Sequence, residues 1–313
     1  MIVASNGSKD EDPFAPLLGV DVELALERFE LSESRRYLAV QTTDARLASD
    51  QNPDTNDRSD IYLLDRELST VRRVTLLAGA ETFESAYLLD LRESSNQVEI
   101  AFASAAPFVS SSIDGNSSAI NSELQKTDLY QYSAGIAEGG ISENATFDLV
   151  SVTSDGIASG LIEKDQAVAM TDLGVYFSST SPELDEADQN ASADAFRFAE
   201  GANQIIAAGA STSSLETGSV FASATIDGQR VLTLSSSAEI SPAGIQQAVL
   251  YEIDTGKWEV ISSSIAGVAS DGWVISGLIS NRGGRIAFTT DATNLMTSDP
   301  VTASGDLYLK VEY

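Results

Sequence analysis

The chain has 313 residues, of which 42% are hydrophobic, and it contains neither cysteine nor histidine. These two absences exclude disulfides, thiolate zinc sites, cysteine nucleophiles and Ser-His-Asp triads within the chain. Its 47 acidic and 18 basic residues give a net charge of −29. This charge argues against nucleic acid or an anionic membrane as a partner, because both carry negative phosphates. No apolar run approaches the roughly 20 residues that span a bilayer, so membrane insertion is not expected.

The first 18 residues are predicted to form a flexible segment, and their opening, MIVASNGSKDEDPF, is too short and too polar for a signal peptide. The acidic composition, rich in Ser, Ala and Thr, suits a soluble protein in salty or calcium-bearing surroundings. We therefore expect a secreted, periplasmic or cell-surface protein whose signal peptide is absent or already removed. A strand is predicted next, at residues 19–26, where GVDVELAL alternates apolar and polar residues.

Five short apolar runs follow along the chain, each with the β-branched and aromatic residues of a buried strand. They are YLAVQT at Tyr37, VEIAFAS at Val98, GVYFSST at Gly174, RVLTLSS at Arg230 and RIAFTT at Arg285. A polar loop separates each run from a second one. The second runs are DIYLLD at Asp60, DLYQYS at Asp128, DAFRFA at Asp194, AVLYEI at Ala248 and DLYLKV at Asp306.

Each first run is preceded by a candidate strand across a tight turn, and most second runs are followed by a turn and another candidate strand. The repeating unit is therefore four antiparallel strands, A to D, and it occurs five times. One propeller domain, residues 19–313, is predicted to hold these units as blades at about 27–76, 85–153, 159–208, 219–263 and 273–313. The strand at 19–26 is predicted to replace the missing strand D of the last blade and to close the ring. The alternative is that the missing strand lies beyond residue 313.

The segment RYLAVQTTDARLASDQNPDTNDRSDIYLLDRELSTVRRVT, which starts at Arg36, resembles the WD40-like propeller repeats of the TolB-type family. RIAFTTDATNL at Arg285 and GDLYL at Gly305 resemble the same repeat. The middle blades match it loosely, and Ala248 replaces the usual Asp of the fourth blade. Together with the five units, the resemblance implies an all-β, five-bladed β-propeller. It implies little about activity, because such propellers serve as binding scaffolds, protease gates and enzymes.

The connections between strands B and C are long in every unit, whereas the A–B connections are tight turns. The B–C connections cover about residues 44–59, 105–126, 181–193, 236–246 and 291–304. In a propeller all B–C and D–A connections emerge on one face. This face is therefore the predicted binding surface.

The pattern D-x-N-x-x-x-D occurs twice at the end of a B–C connection. Its members are Asp54, Asn56 and Asp60 in the first unit and Asp188, Asn190 and Asp194 in the third. Alternating oxygen ligands in a loop can wrap a calcium ion, so these six residues form candidate calcium sites. The alternative is structural, because Asp and Asn side chains also stabilise turns by accepting hydrogen bonds from backbone N–H groups.

Carboxylates near the predicted inner strands form a second group of candidates. Glycosidases use paired acids, and sugar sites add an aromatic platform. The candidates are Asp90, Glu163, Asp165 and Asp172, with Trp273 as the aromatic residue and Trp258 in an outer strand.

The favoured function is a non-catalytic binding or assembly scaffold that presents its long loops to a protein or a glycan. One alternative is a hydrolase or lyase that acts on polysaccharide. Another is a structural subunit of an extracellular coat or filament, since self-assembly is compatible with a closed ring and a high charge.

Overall fold

A computed structural model gives the fold of the protein. It describes residues 26–48, 53–77, 80–82, 84–110, 127–158, 162–163, 166–188, 192–206, 218–237, 240–241, 244–296 and 305–311.

The described strands form five consecutive antiparallel meanders, numbered 1 to 5 in chain order. Meander 1 contains β1 (Leu26–Leu31), β2 (Tyr37–Thr42), β3 (Asp60–Asp65) and β4 (Thr70–Arg73), and a small hairpin of β5 (Leu76–Leu77) and β6 (Ala80–Glu81) follows it. Meander 2 contains β7 (Ala86–Glu93), β8 (Gln97–Ser104), β9 (Asp128–Ala137) and β10 (Gly140–Leu149). Meander 3 contains β11 (Ala169–Thr171), β12 (Gly174–Ser179), β13 (Asp194–Ala199) and β14 (Ala202–Ile205).

Meander 4 contains β15 (Ser219–Ala224), β16 (Arg230–Ser235), β17 (Gln247–Glu252) and β18 (Lys257–Val260). Meander 5 has three described strands, β19 (Val274–Ile279), β20 (Arg285–Thr290) and β21 (Asp306–Val311). A single parallel bridge between Asp194 and Ser219 joins meanders 3 and 4 into one sheet. Apart from a 3₁₀ turn at Ala45–Leu47, the regular elements of the described residues are all strands, which confirms the all-β prediction.

Successive meanders pack face to face, and the hydrophobic core lies between them. One cluster joins meanders 1 and 2 through residues such as Tyr37 and Phe102, and another joins meanders 4 and 5 through Leu232 and Phe288. Strands β2 and β3 are buried at all six of their positions. A fully buried aliphatic or aromatic side chain contributes about 1.5–3 kcal/mol, so these two-sided strands account for much of the stability.

The first strand of most meanders contains a β-bulge. The register shifts within β1, β7, β15 and β19. A bulge increases the local twist of a strand, and four of the five meanders use one in their first strand. The described strands of meander 5 make no extensive contact with those of meander 1. Five blades in a closed ring therefore stay a prediction.

The predicted closing strand, 19–26, lies outside the described residues except for Leu26. That residue begins β1, where it pairs with Thr42. The closing strand stays a prediction for the residues before Leu26.

Gly277 in β19 offers a test of how closely meanders 4 and 5 approach each other. A Cβ added at Gly277 would lie 2.8 Å from Cδ2 of Leu232, whereas one added at Gly284 would meet nothing within 4 Å. We expect Gly277→Val to lower the free energy of unfolding by about 1–3 kcal/mol through overpacking. Gly284→Ala is the control, and urea unfolding measures both variants. Equal stability of the two would contradict the close approach.

Candidate binding surface

Strand alternation places two sets of connections on one edge of the molecule. Within each antiparallel meander the B–C connection and the end of strand D lie at the same edge, and strand A of the next meander starts there. The B–C connections run over residues 43–59, 105–127, 180–193, 236–246 and 291–305. This edge, which carries the B–C and D–A connections, is called the long-loop edge.

A repeated polar contact fixes the start of strand C at this edge. Thr75 donates to the Asp60 carboxylate, and the Ile61 N–H donates to Thr75 at 3.2 Å. Ser151 makes the same pair of contacts with Asp128 and the Leu129 N–H, at 2.9 and 3.0 Å. The contact therefore ties the first residue of strand C to a hydroxyl just beyond strand D.

In meander 4 the same place is taken by an amide. Ser262 donates to Gln247 at 2.8 Å, and the Ala248 N–H donates to Ser262 at 3.0 Å. The side chain that opens strand C thus has a structural role in three meanders, whether it is Asp or Gln. The hydroxyl partner of this side chain could not be predicted from the sequence, because it lies 15 to 23 residues further along the chain.

Two of the candidate calcium ligands, Asp54 and Asp60, flank a buried arginine. The Arg73 guanidinium contacts the Asp60 carboxylate and lies 3.6 Å from Oδ1 of Asp54, and the three side chains are at most 3% exposed. Tyr62 also donates to Asp54, at 3.1 Å. Burial raises the pKa of Asp60, and the contacts with Thr75 and Arg73 oppose that rise. The guanidinium supplies the positive charge that a cation would bring to these carboxylates.

The remaining members of the two patterns are Asn56, Asp188, Asn190 and Asp194. Asn56 accepts the Arg58 N–H at 2.7 Å and donates to the Thr82 carbonyl at 2.5 Å. Asp188 and Asp194 are buried, and Asp194 accepts the Ser219 N–H at 3.1 Å. Asn190 lies outside the described residues. Within the described parts of the chain, no group of three or more acidic side chains is placed to hold a metal ion.

The D–A connections after meanders 2 and 4 are copies of one hairpin. SVTSDGIA at 151–158 and SSSIAGVA at 262–269 share an isolated antiparallel bridge and a glycine with φ near +75° to +79°. In the first copy the Thr153 N–H donates to the Ile157 carbonyl, and the Ile157 N–H donates to the Thr153 hydroxyl. Ser264 and Val268 repeat both bonds. The shared pattern S-x-x-x-x-G-[I/V]-A is the signal that could have revealed this hairpin.

Both hairpins expose aliphatic side chains and are held by the following meander. Ile157 is 46% exposed, Val268 is 57% exposed and Ile265 is fully exposed. The Ser154 N–H donates to the carbonyl of Glu183, in the B–C connection of meander 3. Asn294, in the B–C connection of meander 5, donates to the Ala269 carbonyl at 2.8 Å. Two apolar tips are thus held in place at the long-loop edge.

The candidate catalytic carboxylates have structural partners. Asp90 accepts the N–H groups of Leu91 and Met170 at 2.9 and 2.7 Å, so it links β7 to β11. Burial raises the pKa of Asp90 to about 6, partly opposed by these two hydrogen bonds. Asp172 forms an ion pair with Arg92. Glu163 is exposed, and Asp165 lies outside the described residues.

Asp172 and Arg92 also line a cavity of about 360 Å³ between meanders 2 and 3. Arg92 contacts Glu99 at 2.8 Å, and Gln131 donates to the same carboxylate at 2.8 Å. Arg92 therefore pairs with Glu99 of its own meander and with Asp172 of meander 3. Trp273, the candidate sugar platform, is 52% exposed at the start of meander 5, and Trp258 is 40% exposed.

No protein-family model and no curated protein matches the chain. Among solved structures, the chain is similar to an acylaminoacyl peptidase of Pyrococcus horikoshii, with 11% identity over 91% of this chain and 37% of that one and a TM-score of 0.47. It is similar to TolB from Acinetobacter baumannii, with 13% identity over 92% of this chain and 52% of that one and a TM-score of 0.45.

A puromycin hydrolase is also similar, with 10% identity over 86% of this chain and 34% of that one and a TM-score of 0.43. The chain thus spans about a third to a half of the length of these proteins. These similar structures include TolB, whose family the sequence resembles, and two hydrolases. The likeness is too distant to carry an argument about activity.

Arg73 offers a test of the charge balance at Asp54 and Asp60. We expect Arg73→Met to lower the free energy of unfolding by about 3–5 kcal/mol, because it leaves two buried carboxylates without their counter-charge. The exposed Arg58, changed to Met, is the control.

We also expect equal melting temperatures of the native chain in EDTA and in millimolar calcium. A rise with calcium that Asp54→Ala removes would instead show that the loop binds the ion.

The raised pKa of Asp90 predicts a pH-dependent stability. The folded state holds the Asp90 proton more tightly than the unfolded state, so this contribution is present below about pH 4 and is lost as the pH rises through about 6. We expect Asp90→Asn to gain stability relative to the native chain between pH 4 and pH 7, by on the order of 2–3 kcal/mol. Urea unfolding at both pH values measures the difference. A difference that does not change with pH would contradict the raised pKa.

Proposed function

We propose that the protein is a non-catalytic binding scaffold that presents its long-loop edge to a protein partner. The observation that carries the proposal is the duplicated hairpin with exposed Ile157, Ile265 and Val268. Exposed aliphatic side chains on a preorganised turn lose little conformational entropy when they bind, and they gain free energy when a partner removes them from water. Export to the periplasm or cell surface is part of the proposal and rests on the acidic composition, which is rich in Ser, Ala and Thr.

The charge around the hairpins indicates the chemistry of the partner. Asp155 lies in the first hairpin, and Glu183, Asp185 and Glu186 lie in the B–C connection that holds it. Acidic groups that surround an apolar tip favour a partner with an apolar pocket and a basic rim. The partner that fits is therefore a protein surface rich in Lys or Arg.

A glycan ligand is the second candidate, and the exposed Trp273 favours it. Its backbone N–H donates to the Asp291 carboxylate at 2.5 Å, and this contact holds the residue at the long-loop edge. An exposed indole beside carboxylates resembles the aromatic platforms of sugar sites. Hydrolysis of such a glycan needs two free carboxylates, whereas Asp90 and Asp172 are both held by structural contacts.

The finer architecture, a five-bladed ring closed by an N-terminal strand, stays part of this proposal. Ordered contacts between successive meanders support an arc of blades. Assembly into a coat or filament remains the structural alternative for a chain of this kind. Among the residues that the structure describes, there is no helix long and apolar enough to span a bilayer.

The hairpin tips can be tested by charge substitution. After a partner is identified by affinity capture from the source cells, we expect Ile157→Asp, Ile265→Asp and Val268→Asp each to weaken binding at least tenfold, since each places a carboxylate in an apolar contact. The matched control is Ile226→Asp, because Ile226 is 39% exposed at the opposite edge. Biolayer interferometry gives the dissociation constants. An equal loss of affinity in the control variant, or no loss of affinity in the three hairpin variants, would show that the hairpins do not bind the partner. Loss of binding in Trp273→Ala alone would favour the glycan.

A further inference from the structure

The cavity of about 360 Å³ between meanders 2 and 3 opens at the edge opposite the long-loop edge. This opposite edge carries the A–B and C–D turns and is called the tight-turn edge. Meander 2 lines the cavity with the end of β7, the start of β8 and the first half of β9, and meander 3 lines it with its A–B and C–D turns. Sites for small molecules have volumes of about 300–1,000 Å³, so the cavity has room for a small organic ligand.

The junction of meanders 2 and 3 differs from the next two junctions at this edge. The A–B turns of meanders 3, 4 and 5 are joined by backbone hydrogen bonds, from the Asp172 N–H to the Ile226 carbonyl at 3.0 Å and from the Ile226 N–H to the Asn281 carbonyl at 3.1 Å. Meanders 2 and 3 are connected at this edge by an ion pair between the side chains of Arg92 and Asp172. Two side chains span a wider gap than one backbone hydrogen bond does, and the cavity lies in that gap.

The wall that meander 3 contributes is apolar and held in a fixed shape. Its apolar residues are Met170, Leu173, Val175 and Ala199. The Thr171 hydroxyl donates to the Gly174 carbonyl at 2.9 Å and accepts the Leu173 N–H at 3.2 Å. Gly174 has a φ of +129°, and a Cβ there would lie 2.1 Å from the Phe198 carbonyl oxygen, so the turn packs tightly against β13. A preformed wall of this kind loses little conformational entropy when a ligand binds.

The charged groups of the cavity leave an excess of negative charge. Glu99 is 8% exposed, and its carboxylate accepts hydrogen bonds from Gln131 and Arg92, both at 2.8 Å. The side chain of Asp172 is 63% exposed, and Glu200 is an exposed residue that forms no ion pair with the described part of the chain. Three carboxylates and one guanidinium give the lining a net charge of −2.

Arg92 does not make the cavity a site for anions. Its guanidinium already contacts the carboxylates of Glu99 and Asp172, and these contacts use the paired N–H groups with which arginine recognises an anionic ligand. The net charge of −29 also repels anions from the chain. A positively charged head group therefore fits the rim, and an aliphatic stem fits the apolar wall.

We propose that this cavity binds a small organic cation, an amine or a guanidine on a short aliphatic stem. The head group lies between the carboxylates of Asp172 and Glu200, where it forms charge-assisted hydrogen bonds. The stem lies against Leu173, Val175 and Ala199, where its methylene groups leave water. The site is at the edge opposite the hairpin tips, so it adds a ligand to the proposed scaffold and does not depend on the protein partner.

Isothermal titration calorimetry with agmatine tests the site, because agmatine carries an amine and a guanidine on one aliphatic stem. The titration is made at about 0.15 M NaCl, where charges more than about 8 Å apart are largely screened. One molecule of agmatine is expected to bind per chain. Glutarate, an anion with a similar stem, is expected not to bind. The proposal is wrong if agmatine does not bind, or if several molecules bind each chain with equal affinity.

Two variants separate the charged rim from the apolar wall. Glu200→Gln is expected to raise the dissociation constant of agmatine about threefold to fivefold, which is the effect of one exposed ion pair. Ala199→Leu is expected to raise it at least about tenfold, because the larger side chain occupies the space of the stem. Urea unfolding shows whether each variant folds, and Glu200→Gln decides alone if Ala199→Leu does not fold.

Glu138→Gln is the matched control. Glu138 is exposed in the C–D turn of meander 2, at the same edge as Glu200, and it does not line the cavity. The two Gln variants have the same net charge, so attraction of agmatine to the acidic chain as a whole affects them equally. The affinity of Glu138→Gln is expected to equal that of the native chain. Equal affinities of the two Gln variants would overturn the proposal.

Discussion

The structure depends on the burial of each meander against its neighbours in the chain. A four-stranded sheet whose middle strands are apolar on both sides is not stable alone in water, so each meander needs a neighbour. This requirement explains why the Leu232 side chain of meander 4 lies so close to Gly277 of meander 5 that a Cβ at that position would be 2.8 Å from its Cδ2. It also explains why polar side chains cross between meanders. Gln41, for example, accepts the N–H of Leu88 at 2.8 Å, and Ser178 accepts that of Phe221 at the same distance.

Much of the strand pattern could be predicted from the sequence, because two-sided burial produces short continuous apolar runs. The runs that begin at Tyr37, Gly174, Arg230 and Arg285 each begin a strand, and the run at Val98 lies in β8. The Asp at the start of strand C was recognised as a repeated feature, but its role was not. Its partners come from the chain beyond strand D, and a hydroxyl such as Thr75 looks like any other loop residue in the sequence.

The candidate site was harder to predict for a related reason. Asp54 and Asp60 form a pattern that suits a cation, and the residue that satisfies them is Arg73, at the end of a strand on the far side of a turn. The hairpin copies were missed because they lie between the strands on which the repeat was built. The exposure of Leu307 and Leu309 among the described residues could not be predicted, since alternation in β21 shows which residues share a side but not what lies against that side.

The duplication of the hairpin has a consequence for the strength of binding. Two tips on one rigid body can engage a partner that carries two matching pockets, and the second contact then forms within a single complex. Its effective concentration is set by the scaffold between the tips and not by the amount of free protein. A modest affinity at each tip would then give a tight complex with a two-pocket partner and a weak one with a single pocket. Selection among partners would follow from the spacing of their pockets as much as from their chemistry.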